Sequence, residues 1–452
     1  MTLEIIGIGG ILALFALLSL RMPVGLSMLV VGFFGTVLAG GQRLVLAGMD
    51  AERAFSRSWG TAFSNLTGET MEAASNYNLI VIPMFVLMGN FAGISGMSKD
   101  LFTAAQRWIG HFKGGLASST VVACAMFAAL SGSSLASAVT MGRVALPEMK
   151  RYKYGNSLAT GSVAAGGTLG FLIPPSGGMI IYAVLTEQSI GRLFMAGVLP
   201  GIMLTGLFLL AVRYFIFRRP EQAPAGNKSS LTERLQALWK AVPILGVILL
   251  TIVGMYTGFF TPVEASAVGA FLTFLVAVAR KQINLASLAV VISQTVGATA
   301  TIFLILIGAF VFIPFMSLTE LPSQLVIFLT TLPIGDIGIL LVVIAIYIFL
   351  GTFLEGIAMM VLTLPVIMPI AASLGWDLVW FGIIIMIVLE MGMISPPVGL
   401  NVFIVKSIAP EVPMREIFAG IWPFWFAMAF MVALLVLFPQ IALYLPQTMI
   451  GL

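Results

Sequence analysis

The chain has 452 residues, of which 60% are hydrophobic and 9% charged, and its mean hydropathy is +1.10. Such a composition excludes a water-soluble globular enzyme, and solidly apolar runs such as Ile5–Leu20 and Ile339–Leu350 exclude a membrane barrel, whose strands would alternate apolar and polar residues. What remains is an all-α polytopic membrane protein, in which a formal charge of +4 reports topology and not an affinity for nucleic acid.

The first residues, Met-Thr-Leu-Glu, lack the basic region of a cleavable signal peptide, so the first helix is expected to stay. At about 20 residues per crossing, full spans are expected near 4–20, 24–40, 78–96, 156–186, 197–217, 241–259, 262–279, 298–316, 378–408 and 421–446. Two more apolar stretches, 114–147 and 337–372, are interrupted at their centres by Ser131-Gly-Ser-Ser-Leu-Ala-Ser137 and Gly351-Thr-Phe-Leu-Glu-Gly356. Each reads as a re-entrant hairpin, because irregular backbone at that depth survives only when it is buried in protein or lines a cavity. Segments 98–113, 188–196, 283–296, 320–333 and 410–419 are short or mixed in polarity and read as interfacial arms. Segment 41–77 is an external amphipathic excursion with no assigned role.

Charge tests this count. With the N-terminus outside, eighteen of the Lys and Arg residues fall inside and four (Arg43, Arg53, Arg57 and Arg192) fall outside. That bias supports ten crossings, two hairpins and both termini outside. The polar stretch 218–240 reads as a cytoplasmic linker between 1–217 and 241–452. Each half then runs through scaffold helices, a hairpin, a Pro-Pro-broken helix and a closing helix. Five crossings per half is an odd number, so the halves are expected to be inverted repeats, a mark of secondary transporters.

The repeat is sharpest at Gly170-Phe-Leu-Ile-Pro-Pro-Ser-Gly-Gly178 and Gly392-Met-Ile-Ser-Pro-Pro-Val-Gly-Leu-Asn401. Gly170 and Gly392 are 222 positions apart, as are Pro174 and Pro396. A proline has no N–H for the carbonyl four residues earlier, so the carbonyls of Gly170, Phe171, Gly392 and Met393 lose their helical donors. Unpaired carbonyls at membrane depth are costly, and a dehydrated Na⁺ suits them. The helix restarting after each break turns a positive end inward, towards an anion. Ser176, Ser395 and Asn401 add neutral oxygens. Opposite lie the hairpin tips, with Ser131, Ser133, Ser134, Ser137 and then Thr140 on one, and Gly351, Thr352, Glu355 and Gly356 on the other.

No arginine falls at a predicted midplane site, so an anion is expected to rest on hydroxyls, an amide and helix ends. Ser133, Ser134, Ser137, Ser176, Thr352 and Asn401 are the candidates. Candidate Na⁺ ligands are Ser131, Ser133, Gly170, Phe171 and Pro174 at the first break, and Gly351, Thr352, Glu355, Gly392, Met393, Ser395 and Pro396 at the second. Glu355 and Glu390, ionisable groups inside apolar segments, could balance a cation, carry a proton or brace a hairpin. Glu264, near a helix start, reads as structural. No catalytic residues are expected. The chain has one histidine, His111, and one cysteine, Cys124, with no His-Glu-x-x-His pattern and no phosphate loop followed by Lys.

These residues resemble a known family. Gly-Thr-Leu-Gly-Phe-Leu-Ile-Pro-Pro-Ser176, Ser189-Ile-Gly-Arg-Leu-Phe-Met-Ala-Gly-Val-Leu-Pro-Gly201, Thr261-Pro-Val-Glu-Ala-Ser-Ala-Val268, Gly351-Thr-Phe-Leu-Glu-Gly356 and Glu390-Met-Gly-Met-Ile-Ser-Pro-Pro-Val-Gly-Leu-Asn401 are similar to stretches of the large membrane subunit (DctM type) of tripartite ATP-independent periplasmic (TRAP) transporters, in the ion transporter superfamily. Ser395 departs from the Thr expected there but keeps the hydroxyl. The resemblance implies Na⁺-coupled uptake of an organic acid in a bacterial inner membrane by an elevator mechanism, with two Na⁺ sites where the hairpin tips face the breaks. It also implies a periplasmic binding protein (DctP type) that delivers the substrate and a small four-helix subunit (DctQ type), expected here as a separate polypeptide. C4-dicarboxylates and sialic acids are among the cargoes it leaves open. The alternative is a stand-alone Na⁺- or H⁺-coupled carboxylate symporter of the same superfamily.

Overall fold

The structure, a computed structural model, describes residues 2–450, and no β-strand occurs among them. In chain order the helices are α1 (Leu3–Ser19), α2 (Val24–Leu46), α3 (Ala51–Ser75), α4 (Val81–Ile94), α5 (Met97–Ile109), α6 (Gly115–Ser131), α7 (Ser134–Arg151), α8 (Asn156–Leu172), α9 (Gly177–Leu185) and α10 (Ile190–Arg218). There follow α11 (Leu231–Tyr256), α12 (Pro262–Ala279), α13 (Leu285–Leu318), α14 (Leu321–Thr331), α15 (Gly335–Gly351), α16 (Gly356–Ser373), α17 (Leu378–Met393), α18 (Leu400–Ile408), α19 (Met414–Leu437) and α20 (Gln440–Thr448). Among the described residues, nine helical segments are long and apolar enough to cross a membrane. Eight coincide with expected spans, the ninth is α16, and α1 and α17 are shorter apolar helices. Large apolar side chains stand exposed on them, among them Leu210, Phe217, Leu249, Phe271 and Phe430. That is a liability in water and ordinary in lipid.

Local chemistry sets the helix ends. Capping boxes open α11, where Ser230 and Glu233 exchange bonds of 2.8 and 3.2 Å, and α12, where Thr261 and Glu264 exchange bonds of 2.8 and 3.3 Å. Glu264 is thus a structural cap, as its position implies. Three of the expected interfacial arms are not separate elements. α10, α13 and α19 start at Ile190, Leu285 and Met414 and run unbroken into their spans. Ser189 Oγ accepts from Arg192 N at 3.4 Å and Asn284 Oδ1 accepts from Ser287 N at 2.7 Å, so α10 and α13 are capped at the arm, and Pro413 precedes α19 without a side-chain cap. The excursion at 41–77 is mostly α3, held to α2 by the Ser58 hydroxyl, which reaches the carbonyls of Thr36 and Val37 at 3.1 and 2.9 Å.

Two compact units take shape. The smaller comprises the residues up to Ile80 with Val296–Val343 and Ile357–Leu378. Inside it, a Cβ on Gly32 would meet the Phe312 backbone at 2.8 Å, so α2 and α13 cross where side chains are absent. Phe33, Trp59 and Phe63 add an edge-packed aromatic cluster.

The larger unit comprises Val81–Thr295, Ile344–Gly356 and Val379–Leu452. Its centre is α8 and α17, buried at every position from Ser157 to Leu172 and from Val379 to Met393. α8 admits its neighbours through small residues: Gly167 faces Ala138 of α7, Gly166 faces Cys124 of α6, and Gly161 faces the Gly420 backbone of α19. The polar stretch after α10 is also bound into this unit. Gly114 N donates to Ala223 O at 3.2 Å, Gly155 N to Gln222 O at 2.9 Å, and Gly226 N to Gly110 O at 3.0 Å. Tyr154 Oη donates to Pro224 O at 2.8 Å and accepts from Leu116 N at 3.2 Å.

Candidate functional site

Both Pro-Pro motifs break their helices where proline chemistry requires. α8 stops at Leu172 and α9 restarts at Gly177; α17 stops at Met393 and α18 restarts at Leu400. The Pro174–Pro175 and Pro396–Pro397 peptides are both cis.

At the first break, α6 and α7 form the facing hairpin. Gly132 turns the chain with φ +56°, which a side chain would resist, and Ser133 follows as the extended N-cap of α7. Gly132 O accepts from Gly177 N at 3.0 Å. A Cβ on Gly170 would lie 2.6 Å from Ser133 O, so tip and break meet backbone to backbone. Ser131 and Ser137 pair through their hydroxyls at 2.7 Å. Of the two carbonyls freed here, that of Phe171 accepts from Ser176 Oγ at 2.7 Å.

The second break repeats this contact. Thr352 O accepts from Gly399 N at 3.1 Å, and a Cβ on Gly392 would lie 2.7 Å from Gly351 Cα. Gly177 and Gly399 are themselves 222 positions apart, so equivalent amides bind the two tips. Gly392 O accepts from Ser395 N at 2.9 Å, while Ser395 Oγ donates to Met391 O at 2.6 Å and accepts from Trp425 Nε1 at 2.9 Å. Pro396 and Pro397 are exposed, whereas Pro174 and Pro175 are buried.

The two tip–break pairs converge. A Cβ on Gly356, at the end of the second tip, would touch the Phe171 ring at 3.3 Å and Met393 Sδ at 3.4 Å. Glu390 of α17 lies where the Ser134 hydroxyl of the first tip, Glu355 of the second and Asn401 of α18 all act on it. Asn401 Nδ2 donates to Glu390 Oε2 at 3.3 Å. Glu390 Oε1 and Asn401 Oδ1, both buried, have no hydrogen-bond partner.

Every candidate site residue therefore belongs to the larger unit and to one of these four elements. Ser131 and Ser137 face each other, and Ser176 faces the backbone. Ser134, Glu355 and Asn401 meet at Glu390, which the candidate ligand set did not contain. Trp425 was also missed; its indole identifies it only once α19 is packed beside the second break.

The family described as "Tripartite ATP-independent periplasmic transporter, DctM component" matches residues 11–441. The large permease protein DctM of a C4-dicarboxylate TRAP transporter from Pseudomonas aeruginosa is 35% identical over 386 residues, covering 85% of this chain and 89% of that protein. SiaM, the large permease protein of a sialic acid TRAP transporter from Vibrio cholerae serotype O1, is 30% identical over 451 residues, covering 98% and 99%. The YdaH transporter of Alcanivorax borkumensis shares the fold, with a TM-score of 0.64 at 15% identity over 92% of this chain and 99% of its own.

Proposed function

The chain belongs to the DctM-component family of tripartite ATP-independent periplasmic transporters, and on that premise we propose that it moves a carboxylate-bearing organic acid across a bacterial inner membrane at the expense of a Na⁺ gradient. A periplasmic binding protein of the DctP type delivers the acid, and a small membrane subunit of the DctQ type completes the assembly. The relatives named for C4-dicarboxylates and sialic acid support the class of cargo. The observation that carries the reading is the matched pair of contacts, Gly132 O with Gly177 N and Thr352 O with Gly399 N, each beside a helix broken at two prolines.

Each pair gathers carbonyl and hydroxyl oxygens with no basic side chain, a donor set for a hard monovalent cation. A carbonyl with one donor keeps a second lone pair, so Phe171 O and Gly392 O can still ligate Na⁺. The restarting helices α9 and α18 offer their N-termini to the carboxylate of the cargo. Hairpins and broken helices move as the carrier of an elevator, and the halves act as inverted repeats with both termini in the periplasm.

The first test is thermal stability of the purified protein in NaCl against equal concentrations of choline and potassium chlorides. Binding to the folded state stabilises it by about 2.7 kcal/mol at a hundredfold excess over Kd. A saturable, Na⁺-specific rise is expected, and its absence would argue against preformed sites. Uptake by this subunit alone, without a binding protein, would favour a stand-alone symporter. Topology is tested by Ala225→Cys labelling in intact cells. Ala225 is exposed and the native Cys124 is buried, so labelling from outside would overturn the proposed orientation.

A further inference from the structure

A side chain of α19 reaches into the second break, where Trp425 Nε1 donates to Ser395 Oγ at 2.9 Å. Ser395, which is buried, in turn donates from Oγ to Met391 O at 2.6 Å. The indole is itself held, with the Phe426 ring edge-on at 5.4 Å and the Trp422 ring at 5.8 Å. What Ser395 would do without it gives the contact its meaning. A serine hydroxyl at a helix end has one proton and two carbonyls within reach, those three and four residues back. In this chain the hydroxyls of Ser95, Ser266 and Thr319 take the nearer one, at 2.8, 2.6 and 2.7 Å. For Ser395 the nearer one is Gly392 O, which has lost its helical donor to Pro396 and already accepts from Ser395 N at 2.9 Å. A second donor there would fill the last lone pair of that carbonyl.

We propose that Trp425 is a positioning residue for the cation at the second break: its N–H commits the Ser395 hydroxyl to Met391 O and so keeps the free lone pair of Gly392 O open for Na⁺. The inference rests on the proposed use of Gly392 O as a Na⁺ ligand. A hydroxyl oxygen that accepts from a fixed indole sends its single proton elsewhere, and Met391 O receives it. Each of the two carbonyls then has one donor, Oγ for Met391 and the backbone N for Gly392. Without the indole N–H, the hydroxyl turns between these carbonyls, and in one of its two positions a proton stands where the cation binds. A ligand oxygen kept clear before the ion arrives costs nothing to clear on binding, which is the sense of preorganisation. The first break is built differently, because Ser176 follows its prolines and donates across them to Phe171 O at 2.7 Å. Trp425 thus acts on one break and not on its repeat.

The test is a Na⁺ titration of thermal stability, in choline chloride at constant ionic strength. It compares the purified wild-type chain with Trp425→Phe, Ser395→Ala, the double variant and Trp422→Phe. Trp425→Phe keeps a ring and loses the donor, and its apparent Na⁺ affinity should fall about two- to tenfold, the worth of one hydrogen bond. In the Ser395→Ala background the same change should move the affinity by less than about twofold, because no hydroxyl is left to turn. Trp422→Phe disturbs the same aromatic cluster but leaves the bond to Ser395 in place, so it should titrate as wild type does. A wild-type Na⁺ response that Trp425→Phe reproduces would overturn the positioning role and leave Na⁺ at the breaks standing. Equal losses in Trp425→Phe and Trp422→Phe would overturn it too, since packing and not the N–H would then be at work. So would a loss in Trp425→Phe that persists in full beside Ser395→Ala. No Na⁺ response in the wild type would remove Na⁺ from the breaks, and the role of Trp425 with it.

Discussion

Gly392→Ala is the sharpest probe of the second tip–break contact. The new Cβ would lie 2.7 Å from Gly351 Cα and 3.0 Å from both Gly351 C and Ile348 O. Carbon atoms rest about 3.5–4.0 Å apart, so the tip must retreat by about 1 Å. Its neighbours are backbone atoms, which cannot swing aside as a side chain can. Overpacking of this kind costs about 1–3 kcal/mol, and the 3.1 Å bond from Gly399 N to Thr352 O lies in the path of the retreat. Losing it adds about 0.5–1.5 kcal/mol. Helix propensity returns up to about 1 kcal/mol, since alanine replaces a helical glycine. The net expectation is destabilisation of about 1–3 kcal/mol.

Gly246→Ala in α11 supplies the control. It gains the same propensity and meets nothing within 4 Å, so it should be neutral or slightly stabilising. Thermal unfolding of both purified variants in one detergent measures the difference directly. If Gly392→Ala proves as stable as Gly246→Ala, tip and break are not in the contact described, and the matched docking that supports the transport reading loses one of its two halves. Gly170→Ala, with Ser133 O at 2.6 Å, should behave as Gly392→Ala does.

Pro396→Ala restores an N–H to the second break and gives the Gly392 carbonyl back a helical donor, so Na⁺-driven uptake in proteoliposomes should fall to background; normal Na⁺-dependent uptake would count against a cation at this break. Arg280 pairs with Asp100 while donating to Ser95 O at 3.3 Å and Lys240 O at 3.0 Å, so Arg280→Ala should cost about 1–3 kcal/mol, and Arg280→Lys, which lacks the fork, should recover only part of it in thermal melts. Tyr154→Phe abandons Pro224 O and Leu116 N and should cost about 1–3 kcal/mol. Burial pushes the Tyr154 phenol up to about 12, so the native state keeps a proton that the unfolded chain loses near 10. The stability it contributes is fully present below that lower value and is lost as pH rises towards the higher one, a decline that melts of Tyr154→Phe should lack.

The helices were legible because lipid leaves the backbone few alternatives, and Pro-Pro breaks were legible because a missing N–H acts within one turn. Arms at 188–196, 283–296 and 410–419 were misread because mixed polarity marks the depth of a residue in the bilayer and not its secondary structure. The caps at Ser189 and Asn284 were the better signal. Segment 218–240 looked like a plain linker because its bonds come from backbone groups of Gly110, Gly114 and Gly155, and composition carries no trace of them. Trp425, 30 residues from Ser395, could not be paired with it before α19 was placed. Glu390 stood out as an apolar-segment carboxylate, but its convergence with Ser134, Glu355 and Asn401 is a property of packing.

The two breaks show where a repeated motif stops being informative. Glycine and proline act locally, so Gly170 and Gly392 admit a tip, and Gly177 and Gly399 donate to one, at the same spacing. The hydroxyls do not repeat. Ser176 follows its prolines and bonds back across them to Phe171 O, whereas Ser395 precedes its own, bonds to Met391 O and is held by Trp425. One break is closed over by protein; at the other, Pro396 and Pro397 reach the surface. Only the second carries a glutamate two residues before its glycine and an asparagine within the restarting helix. Equal backbones in unequal surroundings bind equal ions with unequal strength, because the dielectric and the neighbouring charges differ. The alanine variants at Gly170 and Gly392 should therefore agree in stability and disagree in their Na⁺ response, and it is the disagreement that reports which break does more of the coupling.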